Sequence, residues 1–286
     1  MSGTLYIVPT PIGNLEDITQ RALRVLREVN LIACEDTRHT HKLLNHFGID
    51  TKTISYHEHN ERERAAQVCE LLETGKNVAL VSDAGTPLIS DPGFRIVQIA
   101  IERDIPVVSI PGPAAFVTAL AAAGLPTDEF VFGGFLPART NARRAKLQQL
   151  SAIPATLVFY EAPHRIAKTL HDALEIFGDR EAVIARELTK VHEEFARGTL
   201  SDLGKRFSEN TPVRGEMVLM INGTHEDKAP TKSERGTGSQ LIERVRALEQ
   251  QGLSSKDALK TAAREVGMKR AEAYRLMVAQ KNRRSK

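Results

Sequence analysis

The chain has 286 residues, 41% hydrophobic and 26% charged, with no tryptophan. It exceeds one ordinary domain, supplies a core and excludes wholesale disorder. No apolar run approaches the ~20 residues of a membrane helix. The first residues lack a basic-then-apolar leader, and two cysteines, Cys34 and Cys69, make no disulfide framework, so a reducing cytoplasm is expected.

In chain order, apolar runs at 5–8, 31–34, 53–56, 78–81 and 107–110 predict strands, and amphipathic stretches at 17–29 and 61–72 predict helices between them. This alternation predicts an α/β domain over 1–118, with a mostly parallel sheet covered on both faces. Ligands of such sheets sit beyond the carboxyl ends of the strands. Over 119–223 the register changes. Runs at 130–132, 156–160, 182–184, 194–197 and 217–221, with helices at 141–150, 165–177 and 200–208, predict a second α/β domain. The join, AAAGLPTDEF, is short and predicts a rigid cleft. A polar stretch at 224–238 reads as a linker.

Residues 239–286 predict a small all-α domain. Helices at 240–250, 254–266 and 269–280, broken at Gly267, form a helix-turn-helix pattern, with Lys269, Arg270 and Arg275 on its second helix. Net charge is +3 but uneven: residues 232–286 carry 14 Lys/Arg against 6 Asp/Glu, the preceding residues 25 against 30. A basic tail on a mildly acidic body fits contact with RNA or DNA; a solvated three-helix bundle is the plainer reading.

Three strand ends carry the chemistry of a binding site. VPTPIGN follows the first strand, VSDAGTPLISDPG the fourth and SIPGPAA the fifth. There is no GxxxxGK[ST] and no strand-borne GxGxxG. Pro9 and Pro11 remove N–H donors that a phosphate cradle would use, which speaks against dinucleotides and nucleoside triphosphates. Ala84 and Gly85 beside Asp83 would let an adenosine-like ligand lie against the backbone, and the carboxylate could accept from its hydroxyls or amino group. The three loops predict a tight, mostly uncharged pocket.

Two polar clusters end neighbouring strands: ACEDTRHTH with Glu35, Asp36 and Arg38, and YHEHNE with His57, Glu58 and His59. Either Glu35 or His57 could act as a general base there; Glu35 and Arg38 could equally form a structural ion pair. His-x-His lacks a third ligand in pattern, so no metal is expected. Arg139, Arg143, Arg144 and Lys146 make a basic loop and helix start, either a solvated face or a handhold on a nucleic-acid backbone. Arg165 in EAPHR and Arg186 in ARELT fit phosphate or carboxylate binding, since arginine stays protonated.

Taken in order, LYIVPTPIGNLEDIT, IACEDTR, VSDAGTPLISDPG, SIPGPAA, FYEAPHRI, ARELTKVHEEFARG and RGEMVLMI closely resemble the tetrapyrrole-methylase-fold (class III) S-adenosyl-L-methionine methyltransferases. Within them they are similar to the branch that methylates a cytidine 2′-hydroxyl of ribosomal RNA. The resemblance spans residues 4–222. It implies a two-domain fold with S-adenosylmethionine in the interdomain cleft. In the first domain the cofactor would touch Pro11, Ile12 and Gly13, where most of the superfamily has a GxGxG-type loop, and then Asp83, Ala84, Gly85, Thr86, Ala114 and Ala115. Tyr160, Ala185, Gly215 and Glu216 would close over it from the second.

The resemblance further implies 16S ribosomal RNA as partner, at the decoding centre of the 30S subunit, and a homodimer. On this reading Glu35 or His57 takes the 2′-proton and Arg38 pairs with an adjacent phosphate. Arg143, Arg144, Arg165, Arg186, Lys269, Arg270 and Arg275 hold RNA. Two alternatives stand beside it. One is a methyltransferase acting on a tetrapyrrole carbon, against which the basic helix-turn-helix speaks. The other is a DNA-binding regulator whose α/β body senses a metabolite.

Overall fold

Short apolar runs and helix caps set the first sheet. The strands are β1 (Leu5–Ile7), β2 (Leu31–Cys34), β3 (Thr53–Ser55), β4 (Val78–Val81) and β5 (Val107–Ser109). All pair in parallel, in the order β3-β2-β4-β1-β5. Parallel neighbours need crossover connections, supplied by α1 (Gln20–Glu28), α2 (Thr37–His46), α3 (Glu61–Glu73) and α4 (Phe94–Glu102). Successive side chains leave opposite faces of the sheet. Val8, Ile32 and Val81 accordingly pack with Val25, Leu26 and Leu44, whereas Ile7, Ala33 and Leu80 pack with Val68, Leu72 and Ile96. The computed structural model describes residues 2–208, 215–224, 241, 244–249, 253–265 and 273.

Caps decide where helices start. Thr19 accepts from the Ala22 N–H, so α1 begins at Gln20. The predicted start at 17 falls in a separate 3-10 turn, Leu15–Asp17, capped by Asn14. Asp36 caps α2 by accepting from the Arg38 N–H at 2.8 Å.

The second sheet comprises β6 (Phe130–Phe135), β7 (Thr156–Glu161), β8 (Glu181–Arg186), β9 (Glu194–Thr199) and β10 (Met217–Ile221), in the order β6-β7-β10-β8-β9. Only the β6–β7 pair is parallel. Helices α6 (Thr140–Leu150), α7 (Ile166–Phe177) and α8 (Leu200–Arg206) contribute Leu147, Leu170 and Leu203 to the core on one face. On the other face, α5 (Ala115–Ala123) contributes Ala119 and Leu120 against Val158, Val183 and Val218. The expected boundary between 118 and 119 therefore falls inside α5. Both sheets belong to one compact unit, Met1–Thr224. Gly124, at φ 81°, ends α5 in the left-handed conformation.

The second unit, His225–Lys286, is helical at 244–249 and in α9 (Ser255–Glu265). Leu241, Val245 and Leu248 pack there with Ala258, Ala262 and Ala273. Lys269, Arg270, Arg275 and nearly all of the expected linker lie outside the described residues. Among described residues no helix is long and apolar enough to cross a membrane.

Candidate active site

At the carboxyl ends of β1, β4 and β5, three loops are tied together by hydrogen bonds. The Thr10 N–H donates to Gly85 O at 2.9 Å, and the Gly85 N–H returns one to Thr10 O at 3.0 Å. Thr10 Oγ1 donates to Ser82 O at 3.0 Å, and Thr86 Oγ1 to Pro113 O at 2.8 Å. A Cβ on Gly112 would come within 2.8 Å of the Pro9 ring, which explains the glycine opposite that proline. Leu88 and Ser90 hold φ values of 72° and 67°, a conformation that costs non-glycine residues about 1–3 kcal/mol and persists only where the surroundings impose it. The opening of the SDPG segment is thereby fixed against the site.

These loops form one side of a cavity of about 290 Å³. Ile12, Glu35, Asp83, Ala84, Gly85, Thr86, Ala114 and Ala115 line it from the first sheet's side, with Tyr160 and Glu216 opposite. Ten of the residues expected at the site thus line one cavity. Pro11, Gly13, Ala185 and Gly215 are not on it. Ser90, Asp91, Phe135, Glu161, Glu187 and Lys190 also line it. Ser90 and Asp91 stood in the SDPG motif; Phe135, Glu161, Glu187 and Lys190 come from the second sheet's strands and the β8–β9 loop, which long-range folding brings to the cavity.

The cavity is acidic, which corrects the expectation of a mostly uncharged pocket. Glu35, Asp83, Asp91, Glu161, Glu187 and Glu216 all line it. Burial, then the neighbouring Asp83, Asp91, Glu58 and Asp36 carboxylates, raise the Glu35 carboxyl above its ordinary pKa. Burial also raises Asp91, with Ser82 working against it and Asp83 and Glu216 adding to it. Burial raises Tyr160 as well, while the Phe116 N–H, in the first turn of α5, donates to its hydroxyl at 3.4 Å.

The three expected catalytic residues separate. Glu35 alone reaches the cavity. Arg38 is bound to Asp36, with Nη2 to Oδ2 at 2.8 Å, and is otherwise exposed; this bond holds Asp36 at about 2. The ion pair expected between Glu35 and Arg38 is therefore made by Asp36 instead. His57 is not on the wall: its Nδ1 is enclosed without a partner and its Nε2 meets Asn60 Nδ2 at 3.2 Å.

Among the described residues, the four arginines expected to hold RNA are engaged within the protein. Arg143 is 3% exposed and pairs with Asp172 at 2.7 Å; it has no surface to offer, and its assignment to RNA is corrected. Its fork is shared among Asp172, Ala138 O and Thr140. Arg144 pairs with Asp172 at 2.9 Å and with Glu175. Arg165 pairs with Glu161 at 3.1 Å, and Arg186 with Glu194.

Gly13 sets how closely the β8–β9 loop approaches. A Cβ there would lie 2.7 Å from Leu188 O, Lys190 Cγ and Thr189 Oγ1. Gly13→Val should push that loop outward and weaken cofactor binding by about tenfold or more, roughly 1.4 kcal/mol. Calorimetric titration with S-adenosylmethionine measures it, and an unchanged Kd would show that the loop does not close on the ligand.

Residues 4–204 match the family described as Tetrapyrrole (Corrin/Porphyrin) Methylases. "Ribosomal RNA small subunit methyltransferase I" of Halalkalibacterium halodurans is 48% identical over 276 residues, covering 96% of this chain and 94% of that protein. The protein of that name from Escherichia coli O157:H7 is 46% identical over 282 residues, covering 97% and 96%. Among solved structures, uroporphyrin-III C-methyltransferase of Thermus thermophilus complexed with S-adenosylhomocysteine is similar at a TM-score of 0.55. It is 18% identical, with 77% of this chain and 97% of that one covered. That likeness shows a common fold.

Proposed function

The chain belongs to the tetrapyrrole methylase family, in the branch of ribosomal RNA small subunit methyltransferase I, and we propose that it transfers a methyl group from S-adenosylmethionine to a cytidine 2′-hydroxyl of 16S ribosomal RNA. The observation that carries this reading is Glu35, its proton affinity raised, on the wall of a cavity made by three strand-end loops.

The residues present fit the cofactor. Gly85, at φ 84°, leaves space beside Ile12 that a Cβ would begin to fill at 3.4 Å, so the backbone itself would seat a flat adenosine. The acidic wall suits a ligand carrying a sulfonium and an ammonium, and repels a polyphosphate. When bound, S-adenosylmethionine supplies an activated methyl group. The chain supplies orientation and a base. A ribose hydroxyl is a weak nucleophile until its proton is removed, and Glu35 is the carboxylate suited to accept it. Burial, which raises its pKa, also brings that pKa nearer the working pH, where a general base is most effective.

Decoding-centre RNA in the 30S subunit is the expected setting, in the cytoplasm, and the relatives' printed names support a small-subunit substrate. A homodimer is supported by an apolar surface running from α5 to the β6 edge. Val117 and Phe130 are exposed there, and Phe116 stacks on Phe132 at 4.4 Å between centroids. Bare apolar edge strands invite pairing. Val117→Asp with Phe130→Asp should convert the dimer to monomer in sedimentation velocity; wild-type protein already monomeric at tens of micromolar would refute it.

The test of function is methyl incorporation from labelled S-adenosylmethionine into small ribosomal subunits and, in parallel, into uroporphyrinogen. Label in the RNA alone is expected. Label in the tetrapyrrole would favour the carbon-methylating alternative, and specific duplex-DNA binding with no transfer would favour the regulator.

A further inference from the structure

We propose that a second, smaller cavity beside the acidic one is the slot for the acceptor nucleotide's base, and that it admits a single pyrimidine ring. The inference rests on ribose methylation as the reaction and names how that site selects its nucleotide. The cavity lies between the loop after β1 and the first half of α2, and holds about 140 Å³. Asp83 borders both cavities, so a base in one leaves its ribose beside the other.

Size sets the first part of the specificity. A cavity of about 150 Å³ accommodates one benzene ring; a fused purine exceeds the space. Pro11 and Leu15 line one side and Leu43 the other, apolar surfaces suited to the faces of a flat ring. His39 and Lys42 are also at this cavity and are exposed, where a flanking phosphate would meet them.

Thr40 sets the second part. It is 3% exposed and lines the cavity, and its Oγ1 meets no oxygen or nitrogen partner, its hydrogen-bonding neighbour being the weakly polar Cys34 thiol. A buried hydroxyl met only by a thiol is poorly satisfied, a cost that a ligand's polar edge would remove. A hydroxyl both donates and accepts, so it matches the edge of cytosine or of uracil.

The experiment uses reconstituted small subunits whose target nucleotide is C, U, A or G, with wild-type protein, Thr40→Val and Thr40→Ser. For wild type, kcat/KM on C and U should agree within about tenfold, and A and G should fall at least a hundredfold. Thr40→Val should lower kcat/KM on C about tenfold, chiefly through KM, with the S-adenosylmethionine Kd unchanged. Its Tm should hold or rise, because a poorly satisfied buried hydroxyl has been removed; a purely structural Thr40 would show the reverse. Thr40→Ser should retain wild-type kinetics, and it keeps the test intact should the valine variant fold poorly. Equal use of all four nucleotides, or undiminished kcat/KM for Thr40→Val, overturns the slot while leaving ribose methylation standing. Failure of wild type to label any of the four overturns ribose methylation and the slot with it.

Discussion

Glu35→Gln should lower kcat by roughly 10²–10⁴-fold, the usual contribution of a positioned general base, while cofactor affinity changes little. The same substitution should stabilise the protein at neutral pH. Burial and four neighbouring carboxylates raise the Glu35 pKa in the folded state. Such a group contributes stability below its unfolded pKa and loses it as pH rises through the higher folded value. At neutral pH the ionised carboxylate is therefore a net cost, which glutamine removes. Activity has the opposite dependence: the base must be ionised, so kcat falls as pH drops through the raised pKa, and this acid limb should vanish in the variant. Single-turnover rates against pH, with thermal melts on the same samples, measure both. A variant with wild-type rates would remove Glu35 from the chemistry.

Arg143→Ala should destabilise the folded chain by about 3–5 kcal/mol, the range for stranding one member of a buried ion pair. Asp172 would be left almost fully buried, with Arg144 at 2.9 Å as its remaining cation, which places the loss toward the lower end. Replacing both partners, Arg143→Met with Asp172→Leu, should recover much of it, because two desolvated charges give way to apolar packing. Denaturant unfolding of the three variants gives the comparison. An RNA contact predicts another pattern: stability unchanged, and binding to single-stranded RNA weakened, with the salt slope shallower by about 0.7. That pattern would restore the sequence-based expectation for Arg143.

The contrast shows what the sequence carried. LIAC, VALV and MVLMI are short and wholly apolar, and β2, β4 and β10 lie where those runs predict them. FVFGGF was read three residues short because Gly133 and Gly134 look like a turn; Gly133 continues the strand because Phe159 fills the space of its missing Cβ. AFVTALAAA was not read as a helix at all. With almost no polar residue it has no 3.6-residue rhythm, and α5 is defined by packing against the second sheet.

The site divides in the same way. Asp83, Ala84 and Gly85 were legible because proline, glycine and aspartate at strand ends have local backbone meaning. Glu187 and Phe135 were not, since their roles arise only when distant strands bring them to the cavity. A run of arginines in α6 reads as a basic patch until α7 places Asp172 and Glu175 against it.

On the proposed function, the cavity at the ends of β1, β4 and β5 presents a methyl donor to a ribose hydroxyl. Mass spectrometry of nucleosides from small-subunit RNA, after incubation with this protein and deuterated-methyl S-adenosylmethionine, tests it most directly. The heavy methyl is expected on the 2′-oxygen of a cytidine, and far slower to appear when Glu35→Gln replaces the wild type. A heavy methyl on a base atom, or unmodified RNA in the presence of active cofactor, would contradict it.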